Sequence, residues 1–330
     1  MRAVRIVAET GPGSALSLDE IDAPARSHPL SGEDTVLVEV HSAGVSFPEL
    51  LQSRGEYQFK PELPFVPGSE VAGRVLEAPD GSPFAAGDRV AAFCMLGGFA
   101  EVAAAPAFYT FALDDALDYA QGAGLILNYH TAYFSLVTRG RLQAGETVLV
   151  HGAAGGVGTA TLQVAKGLGA STIAVVSSEQ KAKTAREAGA DEVVLAEAGW
   201  RERVTELSGG GVHLVIDPVG GDRFTDSLRS LREEGRLVVV GFTGGAIPEV
   251  RVNRLLLKNT EVIGAGWGAF AMGKPDYVKQ VGERVAALVA DGHVRPLVGS
   301  RYPLERAADA LAALDERRAT GKVVLEVRPD

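Results

Sequence analysis

Cysteine is nearly absent. Cys94 stands alone among 330 residues, so no intrachain disulfide can form, and a reducing, cytoplasmic compartment is the expectation. Long apolar runs are also missing. No stretch reaches the ~18 residues that a membrane span needs, and Met1-Arg2-Ala3-Val4 runs straight into a strand pattern, which argues against a signal peptide. Positive charge is in deficit, with 32 Lys and Arg against 42 Asp and Glu and a net charge of −10. That leaves no basic stripe for a nucleic-acid backbone. Internal repeats and low-complexity tracts are lacking too. What remains is a globular composition, 46% hydrophobic and 22% charged, long enough for about two domains.

Glycine is plentiful, at 40 residues, and its most informative cluster lies in residues 147–170. Thr147-Val-Leu-Val-His151 is a short β-branched run, the pattern of a buried strand. Gly152-Ala-Ala-Gly-Gly-Val-Gly158 follows as a turn. Val157, Ala160, Thr161, Val164, Ala165 and Leu168 then repeat with the spacing of a helix packed on a sheet. Strand, glycine turn and helix read as the first βα unit of a dinucleotide-binding fold, with the fingerprint spelled Ala153-x-Gly155-x-x-Gly158. Gly155 lets a pyrophosphate approach the backbone, Gly156 and Val157 open the helix, and Gly158 lets helix and strand sit close. The helix start offers free N–H groups and a favourable dipole to the diphosphate.

A second strand, Thr172–Val176, ends in Ser177-Ser178-Glu179-Gln180-Lys181. NAD-binding units usually carry an acid at the strand tip to hold the ribose 2′-OH. Here Ser177, Ser178 and Lys181 offer donors and a positive charge suited to a 2′-phosphate, which points to NADPH. Two alternatives stay open: a serine that merely caps the next helix, and Glu179 as an acid for NAD.

Residues 1–123 read mostly as β, with strands at Arg2–Ala8, Thr35–Ala43, Glu70–Glu77 and Arg89–Phe93, and a helical turn or two at Ser46–Ser53. They suggest a compact barrel rather than a βαβ series. Residues 124–145 read as one helix. From 147 strands and helices alternate, with further strands at Glu192–Leu195, Val212–Ile216, Arg236–Gly241 and Glu261–Ala265 and helices at Glu179–Ala188, Trp200–Leu207 and Asp222–Leu231. That rhythm predicts a doubly wound parallel sheet. The predicted division is 1–123, then 124–266 for the nucleotide, then 267–330 returning to complete the first domain.

The chain resembles the zinc-independent quinone oxidoreductase (zeta-crystallin-like) branch of the medium-chain dehydrogenase/reductase superfamily. The resemblance rests on Ala43-Gly-Val-Ser-Phe-Pro-Glu49, Leu63-Pro-Phe-Val-Pro-Gly-Ser-Glu-Val-Ala-Gly73, Gly87-Asp-Arg-Val90, His151-Gly-Ala-Ala-Gly-Gly-Val-Gly158, Asp217-Pro-Val-Gly-Gly221 and Gly321-Lys-Val-Val324. It implies a GroES-like catalytic β-barrel domain plus a Rossmann domain, a site in the cleft between, NADPH as cofactor and a homodimer. Zinc-dependent relatives carry Gly-His-Glu where this chain has Gly68-Ser69-Glu70, and their catalytic cysteine falls near Val45-Ser46. Zinc needs three or four such ligands, so no metal is expected. The resemblance also implies hydride transfer from nicotinamide to a quinone or activated alkene. Tyr57 and Ser46 are its candidate catalytic residues. Asn128, Thr131, Gly241, Phe242 and Gly266 are placed toward the nicotinamide half. Lys322 either reaches a cofactor phosphate or caps a helix end. Glu70, lacking its histidine neighbour, is expected to be a buried ion-pair partner, Cys94 a small core residue, and His130 and His151 structural. Acceptors other than quinones are 2-alkenals and enoyl-thioesters. A binding protein that holds NADPH with little turnover is the reading from another class.

Overall fold

A computed structural model describes residues 1–329. The chain forms two compact units. Met1–Leu127, Gly273–Glu283 and the residues from Pro296 onward make the first, and Asn128–Met272 with Arg284–Arg295 make the second.

The first unit is built around the 11-residue strand Thr35–Val45. Its alternate residues Val36, Val38 and Val40 are fully buried, the period-2 pattern of a strand with one face on a core. Across the main sheet the strands run Val298–Pro303, Lys322–Glu326, Thr35–Val45, Glu70–Glu77, Arg89–Phe93 and Thr110–Ala112, and Val102–Pro106 also pairs with Thr35–Val45. All these pairings are antiparallel except that of Val298–Pro303 with Lys322–Glu326. Register does the positioning. Gly44 faces Val324 on one side and Glu70 on the other, which draws Lys322, Ser46 and Glu70 to one end of the sheet. A Cβ on Gly44 would lie 2.2 Å from the Ala123 carbonyl oxygen and 2.7 Å from Glu70 Cγ, so only glycine leaves room for that carboxylate.

The second unit holds a six-stranded parallel sheet. Its order is Glu192–Leu195, Ser171–Val176, Thr147–His151, Val212–Asp217, Leu231–Val239, Glu261–Gly264. This is a doubly wound parallel sheet, as expected from the sequence, and its order puts the switch point between Thr147–His151 and Val212–Asp217. Ligands of such sheets bind outside the carboxyl ends of the strands at that point.

Several elements differ from the sequence reading. The expected helix over 124–145 is a helix at Ile126–Tyr133 followed by a π-helical stretch at Phe134–Arg139. The Gly140 N–H reaches back five residues to the Ser135 carbonyl. A Cβ on Gly140 would come within 2.9 Å of Leu214 Cδ2, so close packing fixes this wide turn. The fifth strand starts at Leu231 rather than Arg236, with Glu234 at positive φ inside it. The Pro275–Ala290 helix does not return wholly to the first unit, because Arg284–Arg295 belong to the second.

Candidate functional site

The glycine loop and the helix it opens lie in the second unit. The Gly156–Gly167 helix begins at Gly155, and no side chain caps it. Its first-turn N–H groups are therefore available to an anion. A Cβ on Gly158 would lie 2.2 Å from the Gly152 carbonyl oxygen, so this glycine is required for the helix to sit on the loop. A Cβ on Gly155 would meet nothing closer than 3.4 Å. Its missing side chain thus leaves space beside the helix start, as a diphosphate requires. Gly152 holds a φ of +56°, a left-handed conformation that glycine adopts without strain. Ala153 is fully buried behind the loop, and Val157 lies in the first turn.

Asn128 is brought to this helix. A Cβ on Gly156 would sit 2.5 Å from Asn128 Nδ2, so the glycine makes room for the amide. Thr131, one turn on, is also buried. The Asp217 turn stands at the neighbouring strand end. Asp217 Oδ1 accepts from the N–H groups of Val219 and Gly220, each at 2.9 Å. The Gly241–Phe242 turn packs against it, through Thr243 N–H to the Pro218 carbonyl and Gly244 N–H to the Val219 carbonyl. Gly266 precedes the short Trp267–Ala271 helix.

At the tip of Ser171–Val176 the two serines separate in role. Ser178 caps the Glu179–Glu187 helix by accepting from the Lys181 N–H, the structural alternative raised above. Ser177 instead accepts from Lys181 Nζ at 3.2 Å, in an exposed position. Hydroxyl and ammonium are thereby held side by side, the donors that a 2′-phosphate would take.

His151 is buried. Ser227 Oγ donates to the Arg223 carbonyl, so the 2.8 Å contact between His151 Nε2 and Ser227 Oγ places the imidazole proton on Nε2. Burial pulls its pKa down to about 4, against the opposing charge of Asp217. Burial likewise pulls His130 down to about 3.

The first unit carries a buried charged array. Ser46 caps the Phe47–Ser53 helix. Glu49, three residues on, accepts from the Ser46 N–H at 2.9 Å, one half of a capping box. Its other oxygen accepts from the Ser69 N–H at 2.9 Å and, in a short hydrogen bond, from Ser69 Oγ. Burial pushes the Glu49 carboxyl up, although these donors and Lys322 oppose the shift. Beside it, Lys322 Nζ lies 2.5 Å from Glu70 Oε1 and donates to Ser46 Oγ at 2.6 Å. The Leu127 N–H donates to Glu70 Oε2 at 2.8 Å. Tyr57 is half-buried, and burial together with the Glu49 charge pushes its phenol up, so it remains a proton-bearing donor at neutral pH.

The sequence reading places Lys322 at a cofactor phosphate or a helix end. In the fold its ammonium is instead committed to Glu70 and Ser46 in the first unit, because the strand register carries it there. The expected ion-pair role of Glu70 is met, with Lys322 as the partner. Sequence reasoning missed Glu49 and Ser69. The Ser-x-x-Glu spacing of Ser46 and Glu49 is a capping-box signal that could have found the first. Cys94 is buried, as expected. Among the described residues no three of His, Cys, Asp and Glu gather in a way that could hold a metal ion.

Comparison with known proteins agrees with this layout. A family model described as "Alcohol dehydrogenase GroES-like domain" matches residues 32–115, and one described as "Zinc-binding dehydrogenase" matches 156–287. The chain is 39% identical over 297 residues to a quinone oxidoreductase-like protein 2 of Bos taurus, covering 89% of this chain and 85% of the relative. It is 37% identical to a quinone oxidoreductase of Rattus norvegicus, covering 94% and 92%. A solved probable oxidoreductase from Mycobacterium abscessus superposes with a TM-score of 0.89 at 43% identity, covering 99% and 98%. The quinone oxidoreductase from Thermus thermophilus, solved also as its NADPH complex, superposes with a TM-score of 0.82 at 30% identity, covering 99% and 100%.

A GroES-like domain joined to a Rossmann domain defines an oxidoreductase of the medium-chain dehydrogenase/reductase class. Within that superfamily the chain belongs to the quinone oxidoreductase branch.

Proposed function

We propose that this protein is an NADPH-dependent, zinc-independent reductase of quinones. The observation that carries the cofactor choice is the Ser177–Lys181 pair at the strand tip, with no acid in its place. The Thermus thermophilus relative's NADPH complex supports the same choice. The diphosphate would lie along Gly155, Gly156, Val157 and Gly158, and Asn128, Thr131, Gly241, Phe242 and Gly266 would line the nicotinamide half. The open space at Gly155 and the uncapped helix start fit such a group.

Zinc independence rests on what replaces the ligands. Ser69 stands at the histidine position with its hydroxyl spent on Glu49, and Ser46 stands near the cysteine position with its oxygen held by Lys322.

The first unit would take the substrate and the second the cofactor. When bound, reduced nicotinamide supplies a hydride. The protein's own task is to meet the negative charge that grows on the acceptor oxygen. Ser46 and Tyr57 are the donors: both carry a proton at neutral pH, and both lie beside the buried array. A homodimer is part of the proposal. It is supported by the open outer edge of Glu261–Gly264 and by Val252, Leu256 and Leu257, which are 71%, 76% and 80% exposed. Among the described residues no helix is long and apolar enough to cross a membrane.

The test is NADPH oxidation, against NADH, with ortho- and para-quinones, 2-alkenals and an enoyl-thioester, before and after chelator treatment. Quinone turnover that prefers NADPH and survives chelation is expected. Turnover of alkenes alone would move the enzyme to the alkenal or enoyl reductases, and tight binding without turnover would favour a binding role.

A further inference from the structure

We propose that Lys322 is a positioning and proton-supplying residue that acts through Ser46, so that Lys322 and Ser46 form a two-member proton relay to the reduced substrate. The inference rests on the quinone-reductase reading above and goes beyond it by assigning the source of the proton.

Lys322 and Glu70 are almost wholly enclosed, with side chains 4% and 1% exposed, at a separation of 2.5 Å. Such a pair costs desolvation, and well-packed apolar residues often serve stability as well. Its geometry favours a polar task. Lys322 Nζ donates to Ser46 Oγ at 2.6 Å, so that oxygen's acceptor capacity is engaged and its own O–H is left to donate. Glu70 is in turn fixed by the Leu127 N–H, and a Cβ on Gly124 would sit 3.0 Å from Lys322 Cγ, so the lysine stem is confined as well. Ser46 is itself anchored, its N–H on Glu49. A hydroxyl held at its oxygen by an ammonium is a directed donor whose proton can be replaced at once.

The balance is simple. Bound reduced nicotinamide would supply a hydride, that is two electrons and one hydrogen, and one quinone oxygen would then need a proton. The Ser46 O–H bond breaks toward that oxygen while a Lys322 N–H bond breaks toward Ser46 Oγ. The products are neutral hydroquinone, intact Ser46 and a neutral amine at Lys322, which regains one proton from solvent. Glu70 takes no proton in this transfer. The charged groups facing Lys322 are Glu70 and Glu49. Tyr57 and Cys94 lie within the field of Glu49.

The experiment compares the full-length protein with Ser46→Ala and Lys322→Arg. Arginine keeps the positive charge on Glu70 but does not release a proton in the accessible range. The readouts are kcat with para-benzoquinone at saturating NADPH across pH, in H2O and D2O, and NADPH affinity by fluorescence titration. The expectation is a solvent isotope effect in the unaltered protein. Both variants should lose about 100-fold in kcat, the scale of a general acid, with NADPH affinity unchanged. A Lys322→Arg protein with the original kcat, pH profile and isotope effect would overturn the relay. Should that variant fail to fold, Ser46→Ala leaves the ion pair in place, and unaltered kcat there overturns it equally. If the unaltered protein reduces no quinone, the reading beneath the relay falls with it.

Discussion

In the second unit the candidate site is made by omission, and in the first by charge. Around the Gly156–Gly167 helix the deciding residues lack side chains, and what they offer an anion is N–H groups and empty space. Around Ser46 two carboxylates, an ammonium and two hydroxyls are packed away from water. The two sites should therefore fail differently: the first when its charge balance is broken, the second when volume is added.

The largest effect is expected from Lys322→Met. Removing the ammonium leaves Glu70 buried without its partner, a loss of about 3–5 kcal/mol, read as a lower midpoint in urea denaturation. A Lys322→Met/Glu70→Gln double variant should recover most of it. If the single variant were as stable as the parent, the first site would not be held by charge. Next comes Gly158→Ala. The added carbon has nowhere to go beside the Gly152 carbonyl, and about 1–3 kcal/mol is expected. Both tryptophans, Trp200 and Trp267, belong to the second unit, so intrinsic fluorescence reports this loss where it occurs.

A third effect separates the units by pH. His151 and His130 titrate in the folded chain at about 4 and about 3, below the ordinary value of 6.5. An unfolded chain therefore binds more protons as pH falls through 6.5, and the stability present above that value is lost on acidification. Between pH 7 and pH 5 each histidine should remove about 2 kcal/mol, and His151→Asn should reduce the slope seen by tryptophan fluorescence. Glu49 has the opposite sign: its raised carboxyl contributes stability below its unfolded pKa that is lost as pH rises through the folded value. Glu49→Gln should remove that dependence. The smallest effect is at the surface. Lys181→Ala should cut the preference for NADPH over NADH about tenfold, the worth of one exposed charge-assisted contact, measured as the ratio of kcat/KM values. An unchanged ratio would remove the Ser177–Lys181 pair from cofactor choice.

The same contrast explains what could be read in the sequence. The glycine loop was legible because strand, turn and helix are contiguous, and a turn announces itself by residue type. The strand tip was half legible: Ser177 and Ser178 look alike in sequence, and only the helix axis decides that Ser178 is the cap. The first site was hardly legible. Glu70 marked itself as a buried acid without its histidine, but its partner lies 252 residues away, and sheet register, which no local pattern encodes, brings them together. Ser69 meets Glu49 by the same route. The π-helical stretch after Tyr133 was hidden because a widened turn keeps nearly the same apolar spacing as a regular helix, and close packing at Gly140 is its cause.

The distance along the chain between Glu70 and Lys322 has a consequence for biosynthesis. At the usual pace of about 5–20 residues per second, the 252 residues that separate them take some tens of seconds to be made. Throughout that interval the emerging first domain has a carboxylate destined for its interior and no cation to meet it. The Thr35–Val45 and Glu70–Glu77 strands can pair before then, but the buried carboxylate meets its cation only when the Lys322–Glu326 strand joins them. The docking of the Lys322–Glu326 strand, rather than the making of the first sheet, is thus the moment at which this interior becomes electrically complete.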